Sequence, residues 1–438
     1  MAKSKKDAKK TKAAKAVVDP KEAKAAKAAK KAKKAKKAAK AEEKERKDAI
    51  KRAKKVADTS RAGRADLLRE AVAKTDQVIG EWEHDPRLLL RVDDSFDITT
   101  FERDSTPGWP HGKKVAKQLD EVRTTMLREL QERLYAQSKG GAQDSVLLVL
   151  QGLDTAGKGG IVSHVMGLVD PYGIMLTGFK APNEEEKRHH FLWRIKKRLP
   201  KPGYIGVFDR SHYEDLLVPT AEKMTGMADA EGNSWAVDDD VLNKRYHEIY
   251  EMEKAAVEAG MRVIKVCLLV SYEEQGVRLR ERLDRPDKHW KFSPSDLATR
   301  AKWNEFNKAY EEVIKRSSTD VAPWYVIPAD RKWYARLAVG QILLRTLAEI
   351  DPRWPEATYD VDEMRAELDK TMTPEALEAY RAEKTESHIR HITDDEAVGI
   401  AVGMLNASSR ADAAVANAIA DTASTVGEPV DGEAPAEG

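Results

Sequence analysis

Short apolar segments rich in β-branched residues alternate with longer segments of helical periodicity through the middle of the chain. Five have the length of a single strand: SVLLVLQG from Ser145, GIMLTGF from Gly173, YIGVFDR from Tyr204, RVIKVCLLV from Arg262 and WYVIPAD from Trp324. Because the intervening segments are long enough for helices, consecutive strands can run in the same direction. The pattern predicts an α/β fold whose parallel sheet is covered by helices on both faces.

Apolar residues at helical spacing predict a long helix from Lys113 to Gln137, ahead of the first strand. Its apolar positions are Val115, Leu119, Val122, Met126, Leu130 and Leu134. Further helices are predicted near Gly157, Glu184, Leu242, Tyr272, Ser295 and Trp333. After Pro355 the signal weakens, and beyond His391 the composition predicts a tail with at most one short helix.

The aromatic residues are confined to one interval of the chain. All 28 Trp, Tyr and Phe residues lie between Trp82 and Tyr380, and packed cores depend on aromatic area that disordered segments lack. We therefore predict three regions. They are a Lys/Ala-rich extension at 1–56, a folded domain at 82–355 and a weakly structured acidic region at 356–438.

The net charge of +2 over 438 residues hides a steep gradient. Residues 1–56, the arm, contain 24 basic and seven acidic residues, whereas residues 391–438, the tail, contain one basic and nine acidic residues. With few large apolar residues to bury, the arm is expected to be a solvated or fluctuating helix. It is either a solubilising extension or an electrostatic arm for a polyanion such as nucleic acid, and its composition does not distinguish the two.

Several protein classes are excluded by composition. The single cysteine, Cys267, rules out an intramolecular disulfide and a cysteine-rich zinc site. The longest apolar runs are much shorter than a membrane span, and no apolar segment follows the charged N-terminus as it would in a secretory signal. We expect a soluble cytoplasmic protein with no membrane contact.

The strongest local motif follows the first predicted strand directly. Its sequence, GLDTAGKG from Gly152 to Gly159, is typical of a P-loop, in which glycines let backbone N–H groups surround a phosphate and Lys158 adds a positive charge. The usual Ser or Thr after the lysine, which holds Mg²⁺, is replaced by Gly159. Asp154 inside the loop is then a candidate for the missing oxygen ligand.

A second carboxylate ends the third predicted strand. Asp209 lies where parallel strands beside a P-loop commonly place a metal-binding aspartate. Together Asp154 and Asp209 would form a site for Mg²⁺, or Mn²⁺ in its place, completed by water and substrate oxygens. The alternative for Asp209 is an N-cap for the helix that follows it.

Two groups of basic residues follow the second and fourth strands. The first is Lys180, Lys187, Arg188, Arg194, Lys196, Lys197 and Arg198; the second is Arg278, Arg280, Arg282, Arg285, Lys288, Lys291, Arg300 and Lys302. The second group spans a helix that is interrupted at Asp-Arg-Pro and restarts at Ser-Pro-Ser-Asp. This pattern, at about 278–302, is typical of a mobile lid over a phosphate site.

The adjacent His189 and His190 raise the hypothesis of a phosphohistidine intermediate. Their placement on a predicted helix disfavours it, because neighbouring residues of a helix cannot share a face.

Six segments in order resemble the family-2 polyphosphate kinases, between about Pro86 and Pro355. They are GLDTAGKGG at Gly152, GFKAPNEEE at Gly178, FLWRI at Phe191, FDRSHYEDLLV at Phe208, KHWKFSPSDL at Lys288 and APWYVIPADRKWY at Ala322. The resemblance implies a P-loop kinase-like three-layer α/β/α sandwich with a helical lid. It implies catalytic roles for Asp154, Lys158, Asp209 and Arg210, with Asp154 and Asp209 at the metal. Polyphosphate contacts are expected at Gly152, Gly157, Gly159, Lys180, Arg282, Arg285 and Lys291.

We therefore predict a Mg²⁺-dependent phosphotransferase that moves the terminal phosphoryl group of inorganic polyphosphate directly to a nucleoside mono- or diphosphate, or the reverse. The SHYED sequence after Arg210 resembles the subgroup that accepts AMP, ADP or both, and the choice between them stays open. A homo-oligomer is expected for folds of this kind. The alternatives are an ATP-dependent kinase on the same fold and a polyanion-binding protein that acts through its basic arm.

Overall fold

The computed structural model describes residues 82–226, 234–379, 402 and 406. The chain divides into two units, 1–59 and 60–438, and all of these residues belong to the second. The predictions for the arm lie outside the described residues, as do those for the tail apart from Val402 and Asn406. Val402 is buried, and the side-chain amide of Asn406 donates to the carbonyl of Ala348 at 3.1 Å. In the part of the chain that the structure describes, no helix is both long and apolar enough to cross a membrane.

All five predicted strands are confirmed. They are β1 (Ser145–Gln151), β2 (Ile174–Gly178), β3 (Ile205–Asp209), β4 (Met261–Leu269) and β5 (Trp324–Pro328). Every neighbouring pair is parallel, and the strand order is β2-β3-β1-β4-β5. The P-loop strand β1 therefore lies at the centre, with β3 on one side and β4 on the other.

Helices connect the strands and flank the sheet. Before β1 lie α1 (Pro86–Leu90) and α2 (Lys113–Lys139). Between the strands lie α3 (Lys158–His164), α4 (Trp193–Lys196), α5 (Glu214–Thr225), α6 (Asp239–Glu258), α7 (Tyr272–Asp284), α8 (Pro294–Ala301) and α9 (Trp303–Ser317). After β5 come α10 (Lys332–Ile350) and α11 (Val361–Asp369). Short 3₁₀ turns occupy Met166–Leu168, Pro171–Gly173, Glu186–Arg188 and Pro286–Lys291.

One predicted helix is wrong. Near Glu184 the chain forms only the Glu186–Arg188 turn and the single turn of α4. The two turns start at separate side-chain hydrogen bonds. Asn183 and Glu186 each accept from the other's backbone N–H, and the Nδ1 atom of His190 accepts from the N–H of Leu192 at 3.3 Å. His189 is extended between them, so a continuous helix cannot form.

Successive residues of the central strand point to opposite sides of the sheet and enter two separate cores. Val146, Leu148 and Leu150 pack with apolar residues of α2 and α10, while Leu147 and Val149 pack with those of α5, α6 and α9. All seven residues of β1 are buried. Burial on both faces explains why the sequence of this strand is a nearly continuous run of apolar residues. The predicted three-layer α/β/α arrangement is confirmed.

The turn that leaves β1 requires a glycine. Gly152 has φ of 140°, and a Cβ atom built there would lie 2.5 Å from the backbone carbonyl oxygen of Leu268. That oxygen belongs to the neighbouring strand β4, so it cannot move aside without disturbing the sheet. The contact between loop and strand therefore excludes every side chain at this position.

We expect Gly152→Ala to lower the free energy of unfolding by about 2 kcal/mol, because the strained φ and the clash both act on the folded state. Urea unfolding followed by circular dichroism measures the loss. The matched control is Gly159→Ala on α3, where nothing lies within 4 Å of an added Cβ. A Gly152→Ala protein as stable as that control would contradict the account.

Candidate active site

The P-loop joins β1 to α3 through a run of unusual backbone conformations. Gly152, Thr155 and Gly157 have φ values of 140°, 65° and 120°. Lys158 begins α3, and its Nζ atom donates to the carbonyl of Gly152 at 2.5 Å, so its ammonium folds back over the loop. Burial makes the largest contribution to lowering the pKa of Lys158, and the positive charge of Arg210 lowers it further. The negative charges of Asp154 and Asp209 oppose this shift.

Asp209 and Arg210 lie beside this loop because β3 pairs with β1. Leu150 is opposite Asp209 in the register, and the N–H of Arg210 donates to the carbonyl of Leu150 at 3.1 Å. Arg210 has φ of 62°, in the left-handed region that few residues other than glycine adopt. Asp209 does not cap the next helix, which begins at Glu214, so the N-cap alternative is wrong.

An ion pair connects the P-loop with the turn after β3. The Nη2 atom of Arg210 lies 3.2 Å from Oδ1 of Asp154, and its Nη1 atom lies 3.9 Å from Glu214. The carboxylate of Glu214 makes the largest contribution to raising the pKa of Arg210, with Asp154 adding to it. Burial raises the pKa of Asp154, but Lys158, Arg210 and Arg282 outweigh it, so the net pKa is below the ordinary value. Asp154 is therefore ionised at neutral pH.

A cleft of about 560 Å³ opens over the P-loop. Nine lysine and arginine residues line it, against the three carboxylates Asp154, Asp209 and Glu281. The nine are Lys158, Arg210, Arg278, Arg282, Arg285, Lys288, Lys291, Lys332 and Arg336. Such an excess of positive charge fits an anion with many charged oxygens.

The segment from α7 to α8 is the lid, and its helix α7 and the connection to α8 form one wall of this cleft. It is interrupted as predicted, since α7 ends at Asp284 and α8 restarts with a capping box between Ser293 and Asp296. Arg278 ties α7 to the site, because its guanidinium donates to the carbonyls of Thr155, Ala156, Ala329 and Asp330. Arg282 joins the two lid helices, donating to the carbonyl of Lys291 at 2.8 Å and pairing with Asp296 at 3.3 Å.

Most of the predicted site residues come together in the structure. Asp154, Gly157, Lys158, Gly159, Asp209, Arg210, Arg282, Arg285 and Lys291 all line the cleft. Gly152 lines a smaller pocket beside it. Lys180 is exposed beyond the end of β2 and is not among the described residues lining either cavity.

The two adjacent histidines contact residues of neighbouring helices. The side chain of His190 pairs with Glu248 on α6, and that of His189 stacks on Trp193 of α4.

Three residues with a place in the site were missed. Lys332 and Arg336 enter the cleft from the first turns of α10, and Asp296 lies in the lid. The spacing of Lys332 and Arg336, four apart and just after β5, was a usable signal, because the carboxyl ends of parallel strands share one edge. Burial and the negative charge of Asp154 raise the pKa of Asp296. This lid carboxyl therefore interacts electrostatically with the aspartate of the P-loop.

The smaller pocket, of about 140 Å³, adjoins the cleft and shares Asp154 and Arg210 with it. Its other walls are mostly apolar. They are formed by Gly152, Leu153, Glu214, Leu217, Val218, Ala221, Thr299, Phe306, Ala309 and Tyr310. The Asp154–Arg210 pair therefore stands between a basic cleft and an apolar pocket.

Asp154 and Asp209 offer hard carboxylate oxygens, which suit Mg²⁺ or Mn²⁺. Within residues 82–226 and 234–379, no cluster of three or more His, Cys, Asp or Glu side chains could hold a metal by itself. Two carboxylates suit a cation whose remaining ligands are water and substrate phosphate oxygens, which is how Mg²⁺ is commonly bound beside phosphates. The donor set is compatible with such an ion.

Residues 112–355 match the family described as polyphosphate kinase 2 (PPK2). The AMP/ADP-polyphosphate phosphotransferase of Meiothermus ruber is 38% identical over 267 residues, which are 61% of this chain and 94% of that protein. The ADP-polyphosphate phosphotransferase of Rhodopseudomonas palustris is 38% identical over 232 residues, or 53% of this chain and 79% of that protein.

A solved structure is similar as well. The crystal structure of polyphosphate kinase 2 from Arthrobacter aurescens TC1 superposes with a TM-score of 0.62 at 45% identity, covering 66% of this chain and 98% of that one. Residues 112–355, which match the family, contain the P-loop, the turn after β3 and the lid. The chain belongs to the polyphosphate kinase 2 family of phosphotransferases.

Proposed function

We propose that this protein transfers the terminal phosphoryl group of inorganic polyphosphate to AMP or ADP, and that it catalyses the reverse transfer. The observation that carries the proposal is the cleft, where nine lysine and arginine residues face three carboxylates. Even without Arg278, whose guanidinium is bonded to backbone carbonyls, these cations outnumber the phosphates of a single nucleoside triphosphate. The names of the Meiothermus ruber and Rhodopseudomonas palustris relatives support the same substrates.

The donor would extend along the basic cleft. Lys158 and Arg210 interact with Asp154 and Asp209, the lid contributes Arg285, Lys288 and Lys291, and α10 contributes Lys332 and Arg336. A chain of phosphates bound along these residues exchanges many small counterions for protein cations, which favours binding at low salt. Its terminal phosphoryl group would then lie over the P-loop.

The acceptor would approach from the apolar pocket on the other side of the Asp154–Arg210 pair. The walls formed by Leu217, Phe306 and Tyr310 suit part of a nucleoside, and Arg210, which also lines this pocket, would contact the acceptor phosphate. Donor and acceptor phosphates would then meet at the residues shared by the two cavities. In-line transfer depends on this kind of positioning.

In this mechanism an oxygen of the acceptor phosphate attacks the terminal phosphorus of the donor, and the bridging oxygen of the shortened polyphosphate leaves. The attacking oxygen is already an anion at neutral pH, so a general base is not required. Lys158 and Arg210 would neutralise charge on the transferring group, and the lid cations would hold the donor and exclude water. Asp154 and Asp209 would hold Mg²⁺ or Mn²⁺, which when bound adds positive charge beside the phosphate oxygens.

The first test supplies the full-length protein with polyphosphate and AMP or ADP in the absence of ATP. We expect ADP or ATP to form, because polyphosphate is the phosphoryl donor. Separation of the nucleotides by chromatography measures the product, and a panel of acceptors determines the preference. Product formation with ATP as donor but none with polyphosphate would instead identify an ATP-dependent kinase.

The Asp209→Asn variant tests the metal-binding carboxylates. We expect kcat to fall by at least about 100-fold, because the amide keeps the shape of the side chain but loses the charge that would hold the cation. Circular dichroism and the melting temperature should match those of the wild type, since Asp209 is only half-buried at the end of β3. Full activity in a folded Asp209→Asn protein would remove this role.

The Arg336→Ala variant tests the part of the donor cleft beside α3, where the guanidinium of Arg336 would lie 3.7 Å from a Cβ atom built at Gly160. We expect the KM for polyphosphate to rise about 3- to 10-fold with the KM for the nucleotide unchanged, because Arg336 lines the basic cleft and not the apolar pocket. The slope of log KM for polyphosphate against log salt should also fall by about one. Lys370→Ala is the control, since Lys370 is the exposed residue directly after α11. An effect on the nucleotide KM alone would contradict the assignment of the basic cleft to the donor.

A further inference from the structure

A fully buried ionic cluster lies beneath the turn that carries Asp209 and Arg210. It consists of Lys265 on β4, Glu253 on α6, and His212 and Tyr213, which come directly after that turn. Their exposed fractions are 0% for Lys265, His212 and Tyr213 and 2% for Glu253. None of them lines the two cavities of the candidate active site.

The hydrogen bonds of the cluster converge on the Lys265–Glu253 pair. The Nζ atom of Lys265 donates to Glu253 at 2.8 Å, to the hydroxyl of Tyr213 at 2.6 Å and to the carbonyl of Ser317 at 2.8 Å. All three of its protons therefore have partners. The hydroxyl of Tyr213 donates to Glu253 at 2.8 Å, and the Nε2 atom of His212 lies 3.4 Å from the same carboxylate.

A buried ion pair is a costly way to stabilise a core. Removing the two charges from water consumes most or all of their attraction, and apolar residues of similar volume often stabilise a fold equally well. The surroundings here are apolar, since Tyr213 packs edge-on against Trp324 at 4.7 Å within the core beneath α5, α6 and α9. Burial raises the pKa of Glu253, but Lys265 and His212 outweigh it, so the carboxylate stays ionised. The position of the cluster suggests a role beyond stability.

The cluster holds one side of a strained turn. A residue other than glycine with a left-handed conformation, such as Arg210 at φ of 62°, is strained and persists only where its neighbours hold it. On the other side, the hydroxyl of Ser211 accepts from the N–H of Tyr213 at 3.2 Å and from the side chain of Gln151 at 3.1 Å. Gln151 is the last residue of β1, so the turn is fixed between the P-loop strand and the ion pair.

We propose that Lys265 and Glu253 are positioning residues for phosphoryl transfer. By holding His212 and Tyr213 they keep Arg210 in the left-handed conformation from which its guanidinium reaches Asp154. The reaction they serve is the proposed function above, so this inference rests on it. Neither residue touches substrate, and their effect on the chemistry passes through Arg210.

The test replaces the pair with apolar residues in the double variant Lys265→Met/Glu253→Leu, which leaves neither charge unpaired. If the pair served stability alone, activity should recover together with the fold. We expect a folded protein whose kcat is at least about 10-fold lower, with the KM for polyphosphate changed less than about threefold, because the misplaced group acts in the transition state. Wild-type kcat in the folded double variant would overturn the proposal.

Two further variants cover the case in which the double variant does not fold. Tyr213→Phe keeps the ring and removes only the hydroxyl that both Lys265 and Glu253 contact, and we expect a fall in kcat of about threefold at an unchanged KM. Arg345→Met is the control, since it breaks a buried ion pair with Asp85 that is remote from the turn. An unchanged kcat in Tyr213→Phe, or an equal loss in Arg345→Met, would contradict positioning.

A crystal structure of the double variant separates this inference from the proposed function. If the wild type does not use polyphosphate, the proposed function fails, while the conformation of Arg210 still reports on the cluster. Departure of Arg210 from the left-handed region, with loss of its contact to Asp154, supports positioning. An unchanged Arg210–Asp154 contact in that structure overturns it.

Discussion

The parallel pairing of β1 with β3 is the constraint on which the rest of the site depends. Leu150 lies opposite Asp209, and the backbone hydrogen bond from Arg210 to Leu150 continues the pairing one residue past the strand. The loop that leaves β1 and the turn that leaves β3 therefore start side by side. Asp154 and Arg210, 56 residues apart in the chain, meet at 3.2 Å as a result. A register shift of one residue would direct Asp209 to the opposite face of the sheet.

The same geometry concentrates positive charge in a region of the chain whose net charge is negative. Residues 57–390 contain 58 acidic and 51 basic residues, yet nine basic residues face three acidic ones in the cleft. They come from the P-loop, the turn after β3, the lid after β4 and the start of α10 after β5. Each of these follows the carboxyl end of a strand, and in a parallel sheet those ends share one edge. Net charge is therefore a poor guide to what this surface binds.

Side-chain hydrogen bonds within the protein hold the site together. Lys158 bonds to Gly152, Arg278 bonds to four backbone carbonyls and Arg282 pairs with Asp296. Beneath them, the Lys265–Glu253 pair supports the turn of Arg210 from inside the core. Rigid support of this kind reduces the reorganisation that a charged transition state would otherwise demand.

The strands, the long helix at the start, the P-loop and the interrupted lid were predictable because each depends on local pattern: apolar periodicity, glycine spacing and capping residues. The same local reasoning failed near Glu184, where a hydrogen bond from Asn183 to Glu186 and another from Leu192 to His190 divide one expected helix into two turns. It also overlooked Lys332, Arg336 and Asp296, while the contact predicted at Lys180, which is exposed outside the cleft, stays a prediction. The sequence by itself determined which elements form and which loop carries the phosphate-binding motif, because both depend on residues close together in the chain. Only the tertiary structure decided which charges share the cleft and which are buried beneath it, because strand order and register bring together residues that no local pattern connects.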